Sequence, residues 1–462
     1  MNKKSLLLPV GLFALTLCSV AAGARLQTSL GGAEFAAEQA GQASPAAVSP
    51  AAQNATPESQ PQRTVTAYTL PPALYEKAHR LGEIRFRLAI IDFVYGVVVL
   101  WLILRVKAAP AYRDWAEKAA SNRFLQAAIF APLLILTMDV LGLPADIYEN
   151  WLDRSYGLSV QGWGSWMWDW TKSEFLSVLG GIILVYLLYA VMRKSPRRWW
   201  FYFWLVSLPL GLALVFASPL VIDPMFHKFE PLAEKDPALV ASLEKLVHRA
   251  GQDIPPDRMY WMGAAEKSTE LNAYVTGFGA SKRIVVWDTT IAKMNTAQIV
   301  FVAGHEMGHY VLHHIPKGIA LGAIYFLIIF YLGYRSMRRW VLGRWGQRWR
   351  IRGIDDWASL PVLLLLLSIF SFITNPITSA ASRHFEHQAD QYGLEVTHGL
   401  TPGSGEVAAQ AFEVLGQVDL SDPKPNPLDV WLFYSHPTVA ERIRFALSYD
   451  PWANGGHGEF VH

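Results

Sequence analysis

The chain has 462 residues, 52% of them apolar and 13% aromatic, with a mean hydropathy of +0.20. That is too apolar for an ordinary soluble enzyme of this size and places the chain in a membrane. A net charge of +2 gives no electrostatic footprint for nucleic acid, and the single cysteine, Cys18, excludes structural disulfides.

The first apolar run, Ser5 to Ala24, follows Lys3 and Lys4 and ends in Ala22-Gly23-Ala24. It fits a signal peptide or an uncleaved first membrane helix, and Leu17 makes Cys18 a poor lipoprotein cleavage site. Residues 25–69 follow, rich in Ala, Ser, Gln, Pro and Gly without periodicity, the composition of a disordered linker. Apolar spans near the ~20 residues that a membrane helix needs then run from Leu88 to Val106, Phe124 to Leu143, Phe175 to Met192, Trp200 to Val221, Gly318 to Tyr334 and Trp357 to Ile377.

Basic residues fall on alternate loops. They are Lys107, Arg113, Lys118 and Arg123; then Arg193, Lys194, Arg197 and Arg198; then Arg338, Arg339, Arg344, Arg348, Arg350 and Arg352. The positive-inside rule makes these loops cytoplasmic and sends the loop from Pro144 to Ser173, with Asp146, Glu149, Asp153 and Asp169, to the other side. Residues 222–317 and the segment after Ile377 share that non-cytoplasmic face, the periplasm if the source is bacterial.

These last two segments form one soluble part. In the first, Leu239, Val240, Leu243, Leu246, Val247 and Ala250 recur with helical period, and Gly251 follows as a cap. Met259 to Met262, Leu271 to Thr276 and Arg283 to Asp288 read as short strands, and Asn295 precedes the next helix. That helix carries Ile299 to Gly304 and then His305-Glu306-Met307-Gly308-His309. Two histidines one turn apart lie on one face and can share a tetrahedral metal, with Glu306 beside them as general base. His313 and His314 follow at the wrong register and read as surface residues.

A second helical segment, Ser382 to Asp390, puts Glu386 and Asp390 one turn apart. It offers a third ligand and a carboxylate to support a ligating histidine, completing the three protein ligands of a catalytic zinc. Glu386 is preferred over its neighbours His384 and His387 on its spacing to Asp390. Arg383 is a candidate anchor for a substrate terminus or the partner of a nearby carboxylate.

Further stretches complete a resemblance: Leu70-Pro71-Pro72, Val221-Ile222-Asp223-Pro224 through Leu232, Asn272-Ala273-Tyr274-Val275-Thr276-Gly277, Lys282 to Thr289, Asn375-Pro376, and Tyr434-Ser435-His436-Pro437-Thr438 with Glu441-Arg442. From about Leu70 to Leu447 the chain resembles the integral-membrane zinc metalloendopeptidases of the CAAX prenyl protease 1 family. The resemblance implies a mainly α fold, a polytopic transmembrane helix bundle enclosing a chamber, capped by a small α+β zincin-like metallopeptidase domain built from two chain segments. It implies one Zn²⁺ per chain on His305, His309 and Glu386, with Glu306 catalytic and Asp390 behind the ligands. Asn272, Ala273 and Tyr274 match an edge strand that pairs with the substrate backbone, and His436 matches a histidine lining the active site. Gly304 departs from the more usual alanine and is a weaker helix former.

The expected layout is 1–24 signal or first helix, 25–69 linker, 70–221 transmembrane helices, 222–317 first metallopeptidase segment, 318–377 transmembrane hairpin, 378–450 second metallopeptidase segment and 451–462 tail. The expected function is hydrolysis of peptide bonds in membrane-associated or exported proteins, in quality control or CAAX-type processing. Zinc polarises the scissile carbonyl, Glu306 moves the water's proton to the leaving amine, and His436, Tyr434 or Arg442 donates to the oxyanion. The charge-derived topology is opposite to the cytosolic active site of the eukaryotic members. The partners are a peptide or protein and the lipid bilayer, not nucleic acid. Alternative readings are a membrane chaperone with weak protease activity and a zinc amidase at the membrane surface.

Overall fold

The computed structural model describes residues 64–277 and 279–461. The apolar run expected at 5–24 and nearly all of the linker lie outside the described residues. Helix α1 (Pro72–Arg105) starts on a proline, whose missing N–H costs nothing in a first turn. A short helix, α2 (Ala108–Ala119), leads to α3 (Arg123–Tyr156), capped by the Asn122 side chain, and then to α4 (Trp163–Lys194) and α5 (Trp199–Ala217). Later come α6 (Pro237–Arg249), α7 (Thr296–Val311), α8 (His314–Val341), α9 (Leu360–Thr397), α10 (Ser404–Val418), α11 (Pro427–Phe433) and α12 (Val439–Ser448).

Among the described residues, five helices are long and apolar enough to cross a membrane: α1, α3, α4, α8 and α9 with its lead-in turn. The sixth expected span, Trp200 to Val221, coincides with α5, 19 residues long, and the turn that follows it. α5 stops at Ala217 and the chain widens into a π-turn over Ser218–Ile222, where Pro219 has no N–H to continue the helical ladder. The boundary expected at 377 falls inside α9, which continues without a break from the apolar bundle to Glu386 and Asp390.

Phe130, Leu188, Tyr189, Trp199 and Trp357 pack at the centre of the bundle, and the Tyr189 hydroxyl meets Ser359 Oγ at 2.8 Å. The basic loops gather at one end. Arg113 of α2 donates to Asp356 at 2.6 Å and to the Arg350 carbonyl at 3.1 Å, while Arg352 reaches Glu117 and Asp114. Arg193, from the second loop, lies 4.5 Å from the Trp357 ring centroid.

At the other end stands a four-stranded sheet in the order β1-β2-β4-β3, built from β1 (Lys228–Pro231), β2 (Met259–Gly263), β3 (Ala273–Thr276) and β4 (Arg283–Trp287). β1 is a strand the sequence did not announce. β2 and β4 are parallel, whereas β1 and β3 pair antiparallel at the two edges. A second core, including Leu243, Phe301, Tyr392, Phe412 and Ile443, joins α6, α7, α9, α10 and α12. Gly251 takes a φ of 62°, as expected of the residue ending α6.

The Arg113 and Asp356 side chains are only 5% and 4% exposed, so removing one partner leaves an uncompensated buried charge. Arg113→Met should therefore cost about 3–5 kcal/mol, with much of the loss recovered in Arg113→Met, Asp356→Asn. Thermal unfolding of the two variants in detergent checks this.

Candidate metal centre

Helix α7 begins with a reciprocal cap: Gln298 N donates to Asn295 Oδ1 and Asn295 N to Gln298 Oε1, both at 3.0 Å. From Gln298 to His309 every residue of α7 is buried. The helix is therefore held on all sides, and its histidines are directed by packing.

α9 crosses α7 closely because the contact positions lack side chains. A Cβ on Gly304 would meet Val396 Cγ1 at 3.0 Å, and one on Gly393 would meet the His305 backbone nitrogen at 3.1 Å. The glycine at 304, a poor helix former in isolation, is what the crossing requires. The approach places His305 Nε2 3.2 Å from Glu386 Oε2 and 3.3 Å from His309 Nε2, and His309 Nε2 3.8 Å from Glu386 Oε1.

Among the described residues, His305, His309 and Glu386 form a buried group whose candidate ligand atoms lie within 4.8 Å of one another. Glu386 Oε2 is buried and faces His305 Nε2 at 3.2 Å and His436 Nε2 at 3.1 Å without a well-formed hydrogen bond, an arrangement that a cation among these atoms relieves. The surroundings favour positive charge here: burial drives the His305 imidazole down, but the Asp390 carboxylate, accepting from Nδ1, and the negative charges of Asp390 and Glu386 outweigh it, pushing it up to about 9. Two imidazoles and a carboxylate are a donor set that suits a divalent transition metal.

Each histidine is fixed from behind. His305 Nδ1 meets Asp390 Oδ1 at 2.8 Å, and Asp390 is gripped by two arms of Arg442, with Nε donating to Oδ2 at 2.8 Å. With Nδ1 donating to Asp390, Nε2 is the nitrogen that gives up its proton to present a lone pair to a metal. His309 Nδ1 lies 3.0 Å from His314 Nδ1, and His314 Nε2 lies 3.0 Å from Gln388 Oε1. If Nε2 of His314 donates to that oxygen, its Nδ1 accepts from His309, whose Nε2 is again left unprotonated. Burial also holds His309 well below its usual value, in the neutral form.

His314 thus departs from the expectation of a surface residue. It is fully buried, stacked on Phe385 at a 4.7 Å centroid separation, because a left-handed turn at His313 (φ 55°) starts α8 back against the site. His313, His384 and His387 are exposed. Arg442 is not placed as an oxyanion donor, since its guanidinium serves Asp390. His436 Nε2 sits 3.1 Å from Glu386 Oε2, with Nδ1 2.9 Å from Ser435 Oγ, and burial lowers its proton affinity. Arg383, a candidate for a substrate terminus or for a nearby carboxylate, donates to the carbonyls of Val430 and Tyr434 at 3.1 and 2.6 Å and so fastens the segment leading to His436. Glu306 is buried next to the cluster, and that burial pushes its carboxyl up to about 7.

β3 flanks α7 as an edge strand, with Tyr310 Oη donating to the Gly277 carbonyl at 3.1 Å. Asn272 O accepts from Trp287 N at 3.0 Å and Asn272 N donates to Thr290 Oγ1 at 2.7 Å. In the antiparallel alternation this register turns the Tyr274 main chain toward β4 and the main-chain groups of Ala273 and Val275 to the open edge. Of the three residues Asn272, Ala273 and Tyr274, Ala273 is the one whose backbone faces outward.

A buried histidine-carboxylate cluster at one end of a polytopic helix bundle defines a membrane-embedded metalloendopeptidase. Residues 54–228 match the model of the CAAX prenyl protease N-terminal region, five membrane helices, and residues 233–450 match peptidase family M48. The uncharacterized metalloprotease YhfN of Bacillus subtilis is 37% identical over 360 residues, 77% of this chain and 82% of the relative. CAAX prenyl protease 1 of Saccharomyces cerevisiae is 28% identical over 413 residues, 82% and 88% of the two chains. The crystal structure of S. mikatae Ste24p shares the fold, with a TM-score of 0.68 over 96% of this chain and 98% of that one at 23% identity. The chain belongs to peptidase family M48. It is an integral, multi-pass membrane protein that uses a metal cofactor to hydrolyse a peptide or protein substrate.

Gly393→Val should force α9 off α7 at the His305 backbone. The expected outcome is at least a tenfold loss of metal affinity, on the order of 1.4 kcal/mol or more, read by competition with a chromogenic chelator.

Proposed function

We propose that the metal is zinc, one per chain, held by His305, His309 and Glu386, and that Glu306 is the general base of a peptide hydrolysis without covalent intermediate. The carrying observation is the convergence of three ligand atoms from α7 and α9, with Asp390 on the far nitrogen of His305. Two histidines and a glutamate are a common set for catalytic zinc in peptidases, whereas structural zinc favours four protein ligands.

When bound, the ion supplies a Lewis acid at the scissile carbonyl and lowers the pKa of water. Glu306, with its carboxyl raised toward neutrality by burial, accepts the attacking water's proton and returns it to the leaving amine. His436 donates from Nε2 to the developing oxyanion, and Ser435 orients the ring. Asp390 and Arg442 hold His305, and His314 with Gln388 holds His309, so the ligand geometry is set before substrate arrives. Substrate lies extended along β3, pairing with the outward main chain of Ala273 and Val275, a mode that tolerates many side chains. A membrane amidase has no need of that edge strand, and a chaperone has no need of Glu306.

The metallopeptidase domain faces the non-cytoplasmic side. The three basic loops carry fourteen Lys and Arg residues, whereas the loop from Pro144 to Ser173 has Arg154 and Lys172. The substrates are then exported or membrane proteins, and a cytosolic prenylated peptide does not reach the site.

Glu306→Gln should abolish hydrolysis of an internally quenched peptide, with a fall of at least 10³-fold, while zinc content stays at the wild-type level, because the amide cannot accept a proton but leaves the ligands in place. Undiminished turnover excludes the mechanism. Ala273→Pro removes an N–H from the open edge and none from the ladder, so KM should rise severalfold with zinc and thermal stability retained. Normal cleavage makes the strand merely structural. For sidedness, a reporter active only after export should be active when fused after His462 and silent when fused within Arg338 to Arg352; the reverse pattern restores a cytosolic site.

A further inference from the structure

The outward face of α8 changes chemistry once along its length. Leu321, Ile324, Ile328, Tyr331 and Leu332 recur at three- and four-residue steps and are exposed, while Phe326, Ile329, Phe330 and Met337 are buried in the bundle on the opposite face. The exposed stripe then continues as Arg335 and Arg339. At ~1.5 Å per residue the distance from Ile324 to Arg335 is ~16 Å, close to the ~15 Å of hydrocarbon in one leaflet. The stripe therefore offers apolar surface the length of an acyl chain, ending in guanidiniums at headgroup depth.

Beyond α8 the chain folds back as a fixed platform. In the short helical turn Arg344–Arg348 a Cβ on Gly346 would collide with the Val341 carbonyl, and Trp345 stacks on the buried Trp349 with ring centroids 5.3 Å apart. Arg344 and Arg348 both lie against the Trp345 ring, at 5.8 and 5.5 Å from its centroid. Two guanidiniums thus share one indole, an amphipathic ring that seats well at a membrane interface.

The arginines at this end of the bundle fall into two groups. Arg113 and Arg352 are matched by carboxylates, and Arg338 donates to Tyr334 Oη at 2.9 Å. Arg335, Arg339, Arg344 and Arg348 are exposed, and among the described residues none of them meets a carboxylate. Like charges gathered without a counter-charge repel one another and draw in an anion, and guanidiniums bind phosphate oxygens through paired N–H donors. A free phosphate uses only the basic half of this surface, whereas a phospholipid uses the apolar stripe as well. A zwitterionic headgroup brings its own cation, which the arginines repel, and an anionic headgroup does not.

We propose that this face of α8 binds an anionic phospholipid, with its phosphate on Arg335, Arg339, Arg344 and Arg348 and an acyl chain along Ile324, Ile328 and Leu332. The site lies at the opposite end of the bundle from the metal centre and does not depend on the peptidase reading.

The test is native mass spectrometry of the full-length protein in detergent micelles that contain equal amounts of phosphatidylglycerol and phosphatidylcholine with the same acyl chains. The wild type should retain phosphatidylglycerol over phosphatidylcholine by about fivefold or more, and Arg339→Gln, Arg344→Gln should bring that ratio below about twofold. Arg105→Gln, Lys118→Gln removes the same charge from exposed positions at the same end of the bundle and should leave the ratio at the wild-type level. Both lipids compete on one preparation, so the ratio does not depend on how much of a variant is folded. Inorganic phosphate at millimolar concentration should not displace the retained lipid. Equal retention of the two lipids by the wild type, or a ratio unmoved by Arg339→Gln, Arg344→Gln, overturns the site. An equal fall in both double variants reduces it to diffuse charge, and displacement by inorganic phosphate reduces it to a small-anion site; either result also overturns the proposal.

Discussion

The close crossing of α7 and α9 is the contact on which the rest of this structure depends. Helices separated by ordinary side chains lie about 8–10 Å apart, and extra separation here would draw Glu386 and Asp390 away from His305 and His309. Gly304 and Gly393 remove the intervening atoms, so that a backbone nitrogen of one helix lies within contact of the other helix. The conformational freedom that makes glycine costly in a helix is offset by packing, since almost every neighbouring position is buried. α9 brings a further consequence: the helix carrying the carboxylates is also a membrane-length helix, so the site sits next to the bundle and inherits its rigidity.

Burying this much charge is tolerable because both ligating histidines and Asp390 have directional partners, which leaves Glu386 Oε2 turned to the metal position. Arg442, Asp390 and His305 form one chain of hydrogen bonds, and Gln388, His314 and His309 form another. Both end on an Nε2 that faces Glu386. The two chains come from different elements, α12 with α9 in one case and α8 with α9 in the other, so the ligand sphere is tied to the fold at several points. A catalytic metal bound in such a setting meets ligands that need no reorganisation.

Much of this was legible in the sequence. His305, His309, Glu386 and Asp390 announce themselves by spacing on helices, and the Asn295 cap and the periodic stretch from Leu239 to Ala250 locate two helices within a residue or two. What escaped is what depends on tertiary turns. His314 lies five residues past His309, off the metal-facing stripe, and reaches the site only because the chain reverses at His313. Arg442 looks like any basic residue on an amphipathic helix until α12 is placed against α9. β1, Lys228 to Pro231, is four residues long and ends in a proline, too short a run to announce a strand. The apolar run at Trp200 to Val221 forms a helix to Ala217 that tolerates Pro209 in its interior, and only its last turn, which widens to a π-turn from Ser218, departs from the regular helix the hydropathy suggests. Which main-chain groups of the edge strand face outward is fixed by ladder parity, which no single strand contains.

The account stands on one claim, that α7 and α9 together hold the metal. Metal content per chain, measured by inductively coupled plasma mass spectrometry on purified protein and on the His305→Ala, Glu386→Ala double variant, tests it most directly. About one zinc per chain in the wild type and less than a tenth of that in the double variant is the predicted result. Full zinc occupancy in the double variant contradicts it.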